Sequence, residues 1–144
     1  MKLNKNLRVD LLLLLFWVIT MASGLGMHVA GHGPSHQEWH NWAVAHVSSS
    51  LFFVVAAFFH VYFHLNWYKG LFKGGKGKKS KVTVGVTLLF VLLLITGILA
   101  LTIPQGPGSS IGMKHYALGL LCMVFFSGHI IKRHHVLVKA LTGK

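Results

Sequence analysis

The sequence predicts an all-α fold: a single-domain integral membrane four-helix bundle. Composition is the first sign. Hydrophobic residues make up 53% of the 144-residue chain and charged residues only 11%, where a soluble protein carries about 25% charged. The second is four apolar spans, residues 11–29, 42–67, 82–103 and 111–131, each near the roughly 20 residues a helix needs to cross a ~30 Å hydrocarbon layer. The third is the placement of basic residues, nearly all on one side of those spans.

Each span reads as a helix because backbone groups in lipid must be satisfied within their own segment. The first follows a basic start and contains Ala22-Ser23-Gly24, which imitates a signal peptide. The apolar stretch continues past that point, so an uncleaved first helix is expected. Gly31, Gly33 and Pro34 separate it from the second span, and Pro104 to Gly108 separates the third from the fourth. Between the second and third spans, residues 69–81 (KGLFKGGKGKKSK) read as a low-complexity basic loop, suited to anionic lipid headgroups as a secondary role.

Thirteen basic residues fall in the amino terminus, the 69–81 loop and the carboxyl tail, and only Lys114 lies on the other side. The positive-inside rule then puts both termini in the cytoplasm, as expected of a multi-pass protein of a bacterial or archaeal inner membrane. Trp39 and Trp42 fall at the outer interface, Trp67 and Tyr68 at the inner one. The net charge of +12 flanks apolar runs and forms no groove-binding motif, so nucleic acid is excluded as a partner and membrane lipid is expected. Cys122 is the lone cysteine. It permits no internal disulfide and no covalent haem attachment, and reads as a packing residue.

Eleven histidines require an explanation, since ionisable groups within a bilayer are costly and mark function by default. Four form a pattern: His46 and His60 on the second span, His115 and His129 on the fourth, both pairs 14 residues apart. Fourteen residues fall about 40° short of four full turns and rise ~21 Å. Each pair therefore shares a helix face and reaches both leaflets. The two spans run in the same direction, so His46 and His115 share the outer level, and His60 and His129 the inner. This is the geometry of two stacked bis-imidazole sites between facing helices, in which neutral imidazoles serve as axial ligands of two b-type haem irons. Polar lining by chance spacing is the bland alternative.

Other residues take supporting roles or plainer ones. Gly24, Gly26, Gly85, Gly97, Gly119 and Gly128 permit close approach to a flat macrocycle, or ordinary small-residue helix packing. Ser48, Ser49 and Ser50 solvate a haem edge or bond back to their own helix. His64, one turn beyond His60, is the rival ligand, read as an interfacial polar group with propionate or quinone contact as the sharper reading. His134 and His135 read as solvated. Lys69, Lys132 and Arg133 are candidates for inner propionates and Lys114 for outer ones, against generic anchoring. His28, His32, His36 and His40 recur every four residues, a metal-binding stripe on an unbroken helix. Gly31, Gly33 and Pro34 interrupt it, so a loop of exposed histidines is expected, with a metal, extra haem or quinone site as the alternative. Glu38 is that loop's only acid and a weak candidate proton acceptor for quinol.

The stretch HNWAVAHVSSSLFFVVAAFFHVYFHLNWYKG, with Trp42, His46, His60 and Trp67, resembles the flavinylation-associated cytochrome family of small four-helix membrane cytochromes b. Ser23-Gly24 and Thr96-Gly97 match its turns, and KHYALGLLCMVFFSGHIIKR matches its last helix through His115 and His129. The resemblance covers roughly residues 11–138. It implies haem b and electron exchange with quinone or a flavin- or haem-bearing protein on the extracytoplasmic side. The histidine-rich outer loop departs from it and leaves the donor-side partner open.

The expected function is transmembrane electron transfer as a subunit, since no acid–base dyad, activated nucleophile or nucleotide loop occurs in the spans. Two alternatives stand. A metal-ion transporter or sensor would want carboxylates or thiols along its path, where the chain has only Asp10, Glu38 and Cys122. A non-redox anchor would use its histidines merely to line interfaces.

Overall fold

The structure, a computed structural model, describes residues 5–72, 81–103, 106 and 108–142. Among these it is all-helical: α1 Lys5–Ala30, α2 His36–Phe63, α3 Leu65–Phe72, α4 Lys81–Thr102 and α5 Ser110–Thr142. Four of the helices are long and apolar enough to cross a membrane, and the chain is a multi-pass membrane protein.

Helix boundaries follow local chemistry. α1 ends at Ala30, where Gly31 and Gly33 close turns onto the carbonyls of Met27 and Ala30. Ser35 caps α2, its hydroxyl accepting the Glu38 N–H at 3.2 Å. α2 stops at His64, whose backbone N–H reaches both the His60 and the Val61 carbonyls. This tightens the last turn and separates α3 from α2. No glycine or proline marks that break, so the expected span of 42–67 is divided here. α2 also starts earlier than expected and carries His36 and His40. α1 begins at Lys5 and α5 runs on to Thr142, so Lys132, Arg133, His134 and His135 sit on helix rather than beyond it. Of the expected basic loop, residues 69–72 belong to α3, Lys81 opens α4, and 73–80 lie outside the described residues.

α1 packs along α2 and α4 along α5, giving two helical hairpins that meet mainly where α1 touches α5. No Cα of α2 lies within 8 Å of one in α5. The core sits at mid-height: Leu13, Phe53, Ala56 and Ala57, with Phe16, Trp17, Phe90 and Phe126 packed against it. None of the described side chains of α4 is buried, and large apolar residues such as Leu88 and Phe58 face outward. Lipid is their solvent, so helix association rests on close packing and hydrogen bonds instead of on burial from water.

Candidate functional site

His46 and His115 face each other across the gap between the hairpins, ring centroids 6.2 Å apart and planes crossing at 76°. Their Nδ1 atoms are tied down. His46 Nδ1–H donates to the Thr20 carbonyl of α1 at 3.0 Å, and the Ser23 hydroxyl stands 3.4 Å from the same nitrogen. His115 Nδ1 lies 3.0 Å from the Thr96 hydroxyl of α4. That hydroxyl spends its one proton on the Leu92 and Leu93 carbonyls, so its oxygen accepts from His115 Nδ1–H. Both rings are therefore fixed as the tautomer whose Nε2 carries the lone pair.

Two glycines make room for these rings. A Cβ on Gly24 would lie 2.9 Å from His46 Cε1, and one on Gly97 would lie 3.1 Å from His115 Cε1. At these two positions the close approach expected of glycine is made by an imidazole side chain. Gly26 instead admits the Trp42 ring and Gly85 the Phe125 ring. At Gly119 an added Cβ would only touch Leu93 at 3.9 Å, and at Gly128 it would meet nothing within 4 Å. Neither supports a pocket wall made by the protein.

At the other end of the bundle His60 and His129 each find an Nδ1 partner on the neighbouring helix of their own hairpin. His60 Nδ1–H donates to the Asp10 carboxylate of α1 at 2.7 Å, and His129 Nδ1 lies 3.3 Å from the Thr83 hydroxyl of α4. His129 lies at the same end of the bundle as His60, His64, Asp10 and Arg133, close enough for electrostatic interaction. His64 stacks obliquely on His60 with centroids 4.7 Å apart. Burial holds its pKa below the ordinary histidine value; His60 adds to this, Asp10 opposes it and Arg133 adds again. Asp10, His60 and His64 bring their ligand atoms within 4.8 Å of one another, the one such metal-competent trio among the described residues.

Between the levels lies an aromatic layer. Phe53 is seven residues from His46 and from His60, and Cys122 is seven from His115 and from His129; both are buried. Trp17 stacks on Phe126 at 5.1 Å, and Phe53 packs edge-on against Phe90 and Phe126. Cys122 is the packing residue expected.

The outer histidines are not one loop. His28 lies on α1 and stacks on Tyr116 at 3.9 Å and 10°. His32 lies in the turn and donates to the His28 carbonyl at 2.9 Å. His36 and His40 lie exposed on α2, as does Glu38. Among the described residues these four converge on no common point. Ser49 bonds back to the His46 carbonyl at 3.1 Å, the plainer of its two expected roles.

Sequence reasoning missed the Nδ1 partners Asp10, Thr20, Ser23, Thr83 and Thr96. A signal for them exists. Adding 73 carries Asp10 to Thr83, Trp17 to Phe90, Ser23 to Thr96 and Gly24 to Gly97. Adding 69 carries His46 to His115, Phe53 to Cys122 and His60 to His129. The two hairpins are repeats whose turns differ by four residues, and equivalent residues make equivalent bonds. Comparison with family models, with curated proteins and with solved structures finds no match to the chain.

Proposed function

We propose that the chain is a transmembrane electron-transfer subunit whose paired histidines hold two b-type haems, His46 with His115 at the outer level and His60 with His129 at the inner. The outer pair carries the reading: two imidazoles, each fixed as the same tautomer, facing each other at 6.2 Å. A metal gripped from both sides by imidazole nitrogens at about 2.0 Å requires ring centres roughly 6 Å apart. Planes crossing at 76° can share the single axis that such binding demands. Metal-bound histidines characteristically give their second nitrogen to an oxygen acceptor; His46, His60 and His115 do so here, and His129 Nδ1 has the Thr83 hydroxyl at 3.3 Å. When bound, haem supplies a one-electron iron couple with both axial positions filled.

The chain's own residues do the positioning. Thr20, Ser23 and Thr96 orient the outer imidazoles, and Asp10 and Thr83 the inner ones. The midplane aromatics exclude water between the levels. Lys114 beside the outer level, and Arg133, Lys132 and Lys69 toward the inner, are cations available to propionates. The basic flanks favour both termini in the cytoplasm of a bacterial or archaeal cell, with quinone or a flavin- or haem-bearing extracytoplasmic protein as the partner. The resemblance to flavinylation-associated cytochromes supports the same reading. The test is haem counting by pyridine haemochrome on the purified protein: two haems b per chain are expected, and one in His60→Ala. Unchanged stoichiometry in that variant overturns the ligand assignment.

One observation favours the alternative of a cation transporter or sensor: the convergence of Asp10, His60 and His64. A colourless protein that retains zinc or copper would decide for it.

A further inference from the structure

The two hairpins match at His46 and His115, His60 and His129, and Ser23 and Thr96, and they differ in charge at two places: Asp10, where the second hairpin has Thr83, and His64, where it has Arg133. The Nδ1 atoms of His46, His115 and His129 meet neutral oxygens: the Thr20 carbonyl and the Thr96 and Thr83 hydroxyls. His60 Nδ1 alone meets a carboxylate, and at the shortest of the four distances, 2.7 Å. Asp10 is one of two acids in the chain, and Glu38, the other, is exposed at the opposite end. Asp10 is two-thirds covered, its side chain only 33% exposed, within a span where an ionisable group is costly.

An acceptor of this kind changes the ligand it holds. A carboxylate draws the Nδ1 proton toward itself, leaves Nε2 more electron-rich, and raises the basicity of the ring as a ligand. Electron donation and a nearby negative charge both favour the more positive, oxidised metal, and hydrogen bonding around ligands is a recognised means by which proteins tune haem potential. The groups facing it are His64, His129 and the exposed Arg133. Among the described residues Arg133 is a cation that acts on this cluster, and its exposure weakens it by solvent screening.

We propose that Asp10 sets the redox potential of the inner site below that of the outer site. The inference rests on the haem reading above. Asp10 acts through His60 and is a positioning residue. The repeat supplies the matching control, because Thr83 holds the equivalent place against His129, the other ligand of the same level. The carboxylate can be moved across the site without being removed from it.

The experiment is potentiometric titration of the full-length protein in detergent, followed at the haem b absorption band, with haem counted in each sample. Wild type is expected to show two haems at separate potentials. Asp10→Asn keeps the acceptor and removes the charge: the lower potential should rise and the upper stay. Repeating the substitution in His46→Ala, which leaves only the inner site, assigns the shifted couple. Two haems with both potentials unchanged in Asp10→Asn overturn the inference. If that variant loses the inner haem, the exchange Asp10→Thr with Thr83→Asp decides. A return of the wild-type lower potential supports the proposal; a raised potential or a missing inner haem overturns it. Wild type without haem defeats the haem reading itself, which the haem count alone reveals.

Discussion

At the residue scale the site depends on close fits that a single methyl group would spoil. Gly24 and Gly97 sit under the imidazoles of His46 and His115, where a Cβ would come within 2.9 and 3.1 Å of ring carbons. Alanine is the better helix former by about 1 kcal/mol, so on propensity alone either substitution would stabilise. Overpacking of about 1–3 kcal/mol opposes it, and the ring cannot retreat without giving up its Nδ1 bond. Gly24→Ala and Gly97→Ala should therefore each lower haem occupancy at the outer level and leave the inner level filled. Haem stoichiometry and the band of the surviving haem report this; full occupancy in both variants would show that the rings have freedom the bonding denies them. The histidines were legible from spacing because helix geometry alone fixes their faces. Their partners were not. Thr20 acts through a backbone carbonyl, which leaves no residue signature, and Asp10 meets His60 fifty positions away, a pairing set by which helices are neighbours.

At the scale of elements, the four apolar spans were readable because lipid permits few alternatives, whereas their ends were not. The division of α2 from α3 at His64 involves no breaker residue, only a backbone N–H shared between two carbonyls. The start of α2 at His36 depends on the Ser35 cap, a signal that the surrounding histidine stripe obscures. The midplane aromatic layer is likewise a product of assembly. Within it, the Trp17 indole N–H is buried with no hydrogen-bond partner among the described residues, though the ring stacks well on Phe126. The equivalent residue of the second hairpin is Phe90. An unmet buried donor costs about 1–3 kcal/mol, which offsets the packing area lost on replacing indole by phenyl. Trp17→Phe should thus leave unfolding in a denaturing-detergent titration unchanged or shifted toward greater stability. A loss well beyond 1 kcal/mol would mean that the indole nitrogen has found a partner.

At the scale of the whole molecule, the two hairpins repeat one another in sequence, and the proposed pairing takes one histidine from each at each level. Internal repeats are a known plan for membrane proteins, and here the plan has a consequence for pairing. His46 and His60 stand about 21 Å apart on one helix, too far to share a metal, so neither hairpin closes a site alone. Removing two histidines then gives different results according to which two are chosen. His46→Ala with His115→Ala empties only the outer level, and one haem per chain should remain at the inner potential. His46→Ala with His60→Ala takes one ligand from each level, and neither haem should keep its two-histidine coordination; loss of both, or a shift of both to a one-histidine spectrum, is expected. The same holds for His115→Ala with His129→Ala. If ligands paired diagonally, His46 with His129 and His60 with His115, the first double variant would lose both haems. His46→Ala with His129→Ala would then spare one. Counting haem across these four proteins thus reads out the pairing directly, and the level arrangement is the outcome expected, because His46 and His115 already face each other with ring centroids 6.2 Å apart.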